Sequence, residues 1–84
     1  MASYQVLYWQ DIPSQVKAWD DFDEVKIELS PRFVARIDQA ATAQGLTGTD
    51  AYLGEWRWGE TLERTGTAAE VAERVRRELE AAAG

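Results

Sequence analysis

Apolar positions recur along this chain with two different spacings, and the spacing divides it into strands and helices. Glu24-Val25-Lys26-Ile27-Glu28-Leu29 alternates, so Val25, Ile27 and Leu29 line one face and Glu24, Lys26 and Glu28 the other, as in a half-buried strand. Tyr4-Gln5-Val6-Leu7-Tyr8-Trp9 is aromatic and β-rich, and it stops at Gln10-Asp11-Ile12-Pro13, where the residue before proline is pushed towards extended or turn backbone. This predicts a first strand at 4–9. Residues 14–19 alternate weakly and predict a second strand, with a short helix as the competing assignment; Asp20-Asp21-Phe22-Asp23 then supplies turn chemistry.

A helical period takes over after Leu29. Ser30 stands as N-cap, Pro31 occupies the first helical position, and Leu29 faces Val34 as a hydrophobic staple. Phe33, Ile37, Ala40 and Ala41 make the apolar stripe, and Gly45-Leu46 has the form of a left-handed C-terminal cap, so the helix runs from Pro31 to about Gln44. Thr47-Gly48-Thr49-Asp50 is rich in turn formers and leads through Ala51-Tyr52-Leu53-Gly54 into an aromatic strand at 55–63, in which Trp56, Trp58 and Leu62 share a face. Thr67-Ala68-Ala69-Glu70 is a capping box opening a second helix. Val71, Val75 and Leu79, flanked by Ala68, Ala72 and Ala82, form its apolar stripe, and Glu73, Arg74, Arg77 and Glu78 its polar face. The order β-β-β-α-β-α implies an α+β fold: a two-layer sandwich, its mainly antiparallel sheet carrying both helices on one face.

Eighty-four residues suffice for one domain, 1–84, with one modest core, and the chain shows no repeat or linker. Fifteen acidic against nine basic residues give a net charge of −6, which disfavours nucleic acid and an anionic membrane surface as partners. No apolar run approaches the roughly 20 residues of a spanning helix. The start of the chain lacks a basic, apolar secretion signal and cysteine is absent, so a cytoplasmic location is expected.

With no Cys and no His, the chain has no thiolate nucleophile, no imidazole base and none of the usual ligands of zinc, copper or iron. No catalytic residue, metal or cofactor is expected, and the expectation is that the protein is not an enzyme. A carboxylate pair of the glycosidase kind is a distant third possibility, because fifteen acidic residues make chance pairs abundant. The glycines are too scattered for a phosphate loop.

Three blocks carry a resemblance: Tyr8-Trp9-Gln10-Asp11-Ile12-Pro13-Ser14-Gln15-Val16; Leu29-Ser30-Pro31-Arg32-Phe33 through Ile37-Asp38; and Gly45-Leu46-Thr47-Gly48-Thr49-Asp50-Ala51-Tyr52-Leu53 with Glu55-Trp56-Arg57. They resemble the bacterial virulence factor family over nearly the whole chain. The resemblance implies a small bacterial domain, found alone or attached to larger proteins, and carries over no catalytic residue or ligand. It also suggests an accessory role beside corrinoid and folate one-carbon enzymes.

Candidate binding residues are Trp9, Asp11, Asp50, Tyr52, Trp56 and Arg57. Asp11 sits in the loop after the first strand and either presents a carboxylate or caps that turn; Asp50 either faces a ligand or caps a short helical turn. Tyr8, Trp9, Trp56 and Trp58 either fill the core or leave an aromatic on the outer sheet surface, where Arg57, opposite its tryptophan neighbours, would join it. The leading expectation is a non-catalytic interaction domain, engaging a protein partner or itself. The alternative is a site for a small molecule, pterin-like or aromatic, using tryptophan stacking and Asp11 or Asp50.

Overall fold

A computed structural model describes residues 1–82. It contains β1 (Ala2–Trp9), β2 (Ile12–Trp19), β3 (Glu24–Glu28), α1 (Pro31–Ala43), α2 (Asp50–Gly54), β4 (Trp56–Trp58), β5 (Leu62–Arg64) and α3 (Ala68–Ala82). The fold is α+β, and the sheet is antiparallel throughout, in the order β3-β2-β1-β4 with β5 also pairing β1.

Cross-strand pairing assigns the two faces. Tyr4 pairs with Ala18 and Val6 with Val16, which pair in turn with Val25 and Ile27 on β3. Paired residues share a side of the sheet, and on this side Ala2, Tyr4, Val6, Val16 and Ala18 are buried. α3 lies against it with Ala68, Val71, Ala72 and Val75 buried, as its stripe predicts. Full burial of a valine contributes about 1.5–3 kcal/mol, so Val71 and Val75 fasten α3 to the sheet. α1 meets chiefly β2, burying Phe33, Ile37 and Ala41 in the same core.

β2 begins earlier than its sequence suggests, because the hairpin loop is only Gln10-Asp11. Gln10 adopts a left-handed φ of 56° there, held by its amide to the Glu55 carbonyl (3.1 Å) and by a reciprocal side-chain amide pair with Gln44 (2.6 and 2.9 Å). Pro13 is tolerated inside β2 because the register slips beside it, leaving Ser14 as the extra residue of a bulge.

The expected strand at 55–63 is broken into β4 and β5. Between Trp58 and Leu62 the chain takes four steps while β1, from Leu7 to Tyr4, takes three. That one-residue slip turns Leu62 to the other side of the sheet from Trp56 and Trp58, so the three do not share a face.

The helix ends follow local chemistry with one exception. Gly45, at φ 71°, closes α1: its amide donates to the Thr42 carbonyl and that of Leu46 to the Ala41 carbonyl, a Schellman cap. Thr67 and Glu70 make the reciprocal capping box at 3.2 and 3.0 Å. Ser30 holds the N-cap position of α1 but makes no side-chain cap. Its hydroxyl and amide donate instead to the Glu80 carboxylate, at 2.8 and 2.9 Å, and Val34, expected to staple against Leu29, is 54% exposed. Charge-assisted bonds to a carboxylate are stronger than a hydroxyl cap. At the other end of α3, Asp20 accepts from the amides of Ala68 (2.9 Å), Phe22 and Asp23 (both 2.8 Å), joining the β2–β3 turn to the helix N-terminus. These donors hold both carboxyls below the usual carboxylate range: for Asp20 the Ala68 amide acts most strongly, for Glu80 the Ser30 hydroxyl.

Candidate interaction face

The side of the sheet away from α3 is built from the alternate residues of the same strands. Across it, Glu28, Gln15, Leu7 and Trp58 form one row, Lys26, Lys17 and Gln5 a second, and Glu24, Trp19, Ser3 and Glu63 a third. Every one of these is half-buried or exposed, whereas on the opposite side Ala2, Tyr4, Val6, Val16 and Ala18 are buried. The end of this face nearest Trp9 is occupied by the Trp9, Tyr52 and Trp56 rings; the rest is open.

At the centre Lys17 lies between two tryptophans, its Nζ 4.6 Å from the Trp58 ring centre and 5.5 Å from that of Trp19. Trp58 is 40% exposed. Lys17 is directly opposite Lys26, and these are the only lysines in the chain. Like charges directly opposite on a sheet are destabilising. Among the described residues neither ammonium has a carboxylate within ion-pair distance, while Arg32, Arg64, Arg76 and Arg77 are all paired with glutamates of α3.

The expected site residues separate into distinct settings. Trp9 is fully buried (0% exposed), its Nε1 donating to the Tyr52 carbonyl at 2.9 Å and its ring 5.6 Å from that of Tyr52. Tyr52 meets Trp56 edge-on at 6.3 Å. These three rings pack on one another and act in the core. Asp50 occupies the first turn of α2, whose N-cap is Thr49, accepting from the Tyr52 amide at 3.3 Å. Arg57 pairs with Tyr8 and stands 5.4 Å from its ring. It is therefore on the helix side of the sheet, where α3 stops short, and Trp58 takes the place on the outer surface expected for Arg57.

Tyr8 separates two shallow hollows on that helix side. One, of about 290 Å³, is lined by Tyr4, Tyr8, Arg57, Glu60 and Leu62. The other, of about 250 Å³, is lined by Tyr8, Asp11, Pro13, Phe33, Arg36 and Leu79. Asp11 and Arg57 thus border neighbouring hollows, and Asp50 lines neither. No group of three or more Asp or Glu residues able to hold a metal ion occurs among the described residues, nor a helix long and apolar enough to cross a membrane.

The residues that sequence reasoning passed over are Lys17, Trp19 and Lys26. The weak alternation Gln15-Lys17-Trp19 was the signal for the first two and the polar face of Glu24-Lys26-Glu28 for the third, but only the pairing of β2 with β3 and β1 shows that both lysines and a second tryptophan meet on one surface.

Comparison with known proteins gives one match: the model of a family described as virulence factor aligns with residues 7–83. No curated protein and no solved structure matches.

Proposed function

The chain belongs to the virulence factor family, and from that premise we propose that it is a non-catalytic interaction domain docking through the helix-free face of its sheet, as an accessory to a larger protein or to itself. The observation that carries this reading is Lys17 held between Trp19 and Trp58 on an open surface. Tryptophan is enriched among residues that dominate binding energy, and its rings offer large apolar area with little entropy to lose. The sheet is a rigid platform, so little ordering opposes association.

Affinity capture from the native cytoplasm tests it, comparing wild type with Trp58→Ala, Lys17→Glu and Arg57→Ala. A specific partner, or the domain itself, should co-purify with wild type and Arg57→Ala and be lost with the other two. Retention by Lys17→Glu and Trp58→Ala, or recovery of neither partner nor self, would count against the reading.

A second reading, a site for a small aromatic or pterin-like molecule, is favoured by the Tyr8 hollow that gathers Asp11 and Arg36. Titration of labelled protein with a pterin, followed by NMR, should then shift Tyr8 and Asp11; an unchanged spectrum would remove it.

A further inference from the structure

The two edges of the sheet are finished differently. On one side β4 and β5, three residues each, are separated by the slip against β1 and leave no continuous edge. On the other, β3 is the last strand; it pairs with β2 in unbroken register from Glu24 to Glu28 and contains no proline, glycine or bulge. The Leu29 amide donates to the Ser14 carbonyl at 3.0 Å in that same register. Leu29, Ile27 and Val25 therefore direct their backbone groups at β2, and Glu24, Lys26 and Glu28 direct theirs outwards. Among the described residues no hydrogen bond reaches these outward amides and carbonyls, and no ion pair involves the three side chains. Val25 and Ile27, on the helix side, stay half-buried where the core runs out at this edge. An unpaired strand edge of this kind is a template for another strand.

We infer that β3 of a second copy occupies this edge, antiparallel about a two-fold axis through Ile27, an association separate from the docking face proposed above. The backbone asks for a strand, because its outward groups recur at every second residue; the side chains select which strand and which register. Only registers that set outward residue against outward residue satisfy the backbone. Of these, one centred on Lys26 opposes Lys26 to Lys26 and Glu24 to Glu28, and one centred on Val25 sets Ile27 against Asp23. The register centred on Ile27 opposes Lys26 to Glu28 twice and puts Ile27 on Ile27 and Val25 on Leu29, so that hydrogen bonding, charge and apolar contact are met together. Lys26 thereby gains a carboxylate neighbour across the edge, where its own chain sets Lys17 opposite it. The axis is perpendicular to the sheet, so the two sheets join into one, both α3 helices lie on the same side, and the two open faces become a single surface. A two-fold contact of this kind closes at the dimer. Five residues per strand bury less than the about 800 Å² per partner of a stable interface, so association is weak and concentration-dependent.

Sedimentation equilibrium from micromolar to millimolar concentration tests this on wild type, Lys26→Pro, Lys26→Glu, Glu28→Lys and the double variant Lys26→Glu/Glu28→Lys, with circular dichroism checking each fold. Wild type should dimerise. Proline is tolerated on an edge strand where the amide faces solvent, so Lys26→Pro removes an outward donor beside the axis and should stay monomeric over the same range. Each single charge exchange sets like charges opposite each other at both pairs and should weaken dimerisation roughly tenfold; the double variant, in which opposite charges face each other again, should return to the wild-type level. A wild type monomeric at millimolar concentration, a Lys26→Pro protein that associates like wild type, or a double variant no tighter than the single ones would each overturn pairing at this edge. None of these variants touches Lys17, Trp19 or Trp58, so self-association that survives Lys26→Pro belongs to the open face, and capture of a partner through that face is decided separately.

Discussion

Replacing Trp9 by alanine should come close to unfolding this domain, while the same replacement at Trp58, one strand away, should cost about half as much. Trp9 is fully buried and packs on Tyr52; truncating such a side chain costs about 3–5 kcal/mol in lost burial and residual cavity. Loss of the indole hydrogen bond leaves the Tyr52 carbonyl without this donor, adding about 1 kcal/mol. A domain of 84 residues has a total stability of about 4–13 kcal/mol, so Trp9→Ala removes much or all of it. Trp58 is 40% exposed and its main specific contact is with Lys17, for which about 0.5–1 kcal/mol is typical; with about 1–2 kcal/mol for the covered part of its surface, its loss should cost about 1.5–3 kcal/mol. Trp9→Phe, which keeps a ring but not the donor, should fall between them. Urea denaturation followed by far-ultraviolet circular dichroism measures all three. A Trp9→Ala loss below about 2 kcal/mol, or a Trp58→Ala loss equal to it, would refute the assignment of Trp9 to the core and Trp58 to the surface.

Acid should destabilise the protein in a defined window. Asp20 and Glu80 titrate below their ordinary values of 3.8 and 4.5, so the folded state binds fewer protons than the unfolded one, and their contribution is full above those values and lost as pH falls through the lowered ones. Melting temperature should be flat from neutral pH to about 4.5 and drop below it, with Asp20→Asn melting lower at neutral pH and losing part of the acid dependence; an unchanged acid limb would exclude Asp20 as a contributor. Two glycines should respond in opposite directions. Gly45→Ala forces a side chain into the left-handed cap and should cost about 1 kcal/mol. Gly54→Ala, at the end of α2 with open space around it, should be neutral or gain up to about 1 kcal/mol; thermal melts of the pair check both signs.

Much of this protein is written locally. The alternation at β3, the Schellman glycine of α1, the Thr67–Glu70 capping box and the Val71, Val75 and Leu79 stripe of α3 are short-range patterns, legible because each depends on residues within a turn or a strand of one another. They determine an α+β chain with an amphipathic helix on a sheet. Tertiary structure decided the rest. Ser30 was legible as a cap by type, yet Glu80, fifty positions away, takes its hydroxyl. The face reached by Leu62 turned on a one-residue slip against β1, which no local pattern records. Arg57 was correctly separated from its tryptophan neighbours by alternation, but which side α3 would cover depended on the pairing of β1, β2 and β3. The same pairing set Lys17 opposite Lys26 and between Trp19 and Trp58. A local sequence fixes which residues point together along one strand; only the register between strands fixes which of them meet across a sheet, and the candidate interaction face exists in that second dimension alone.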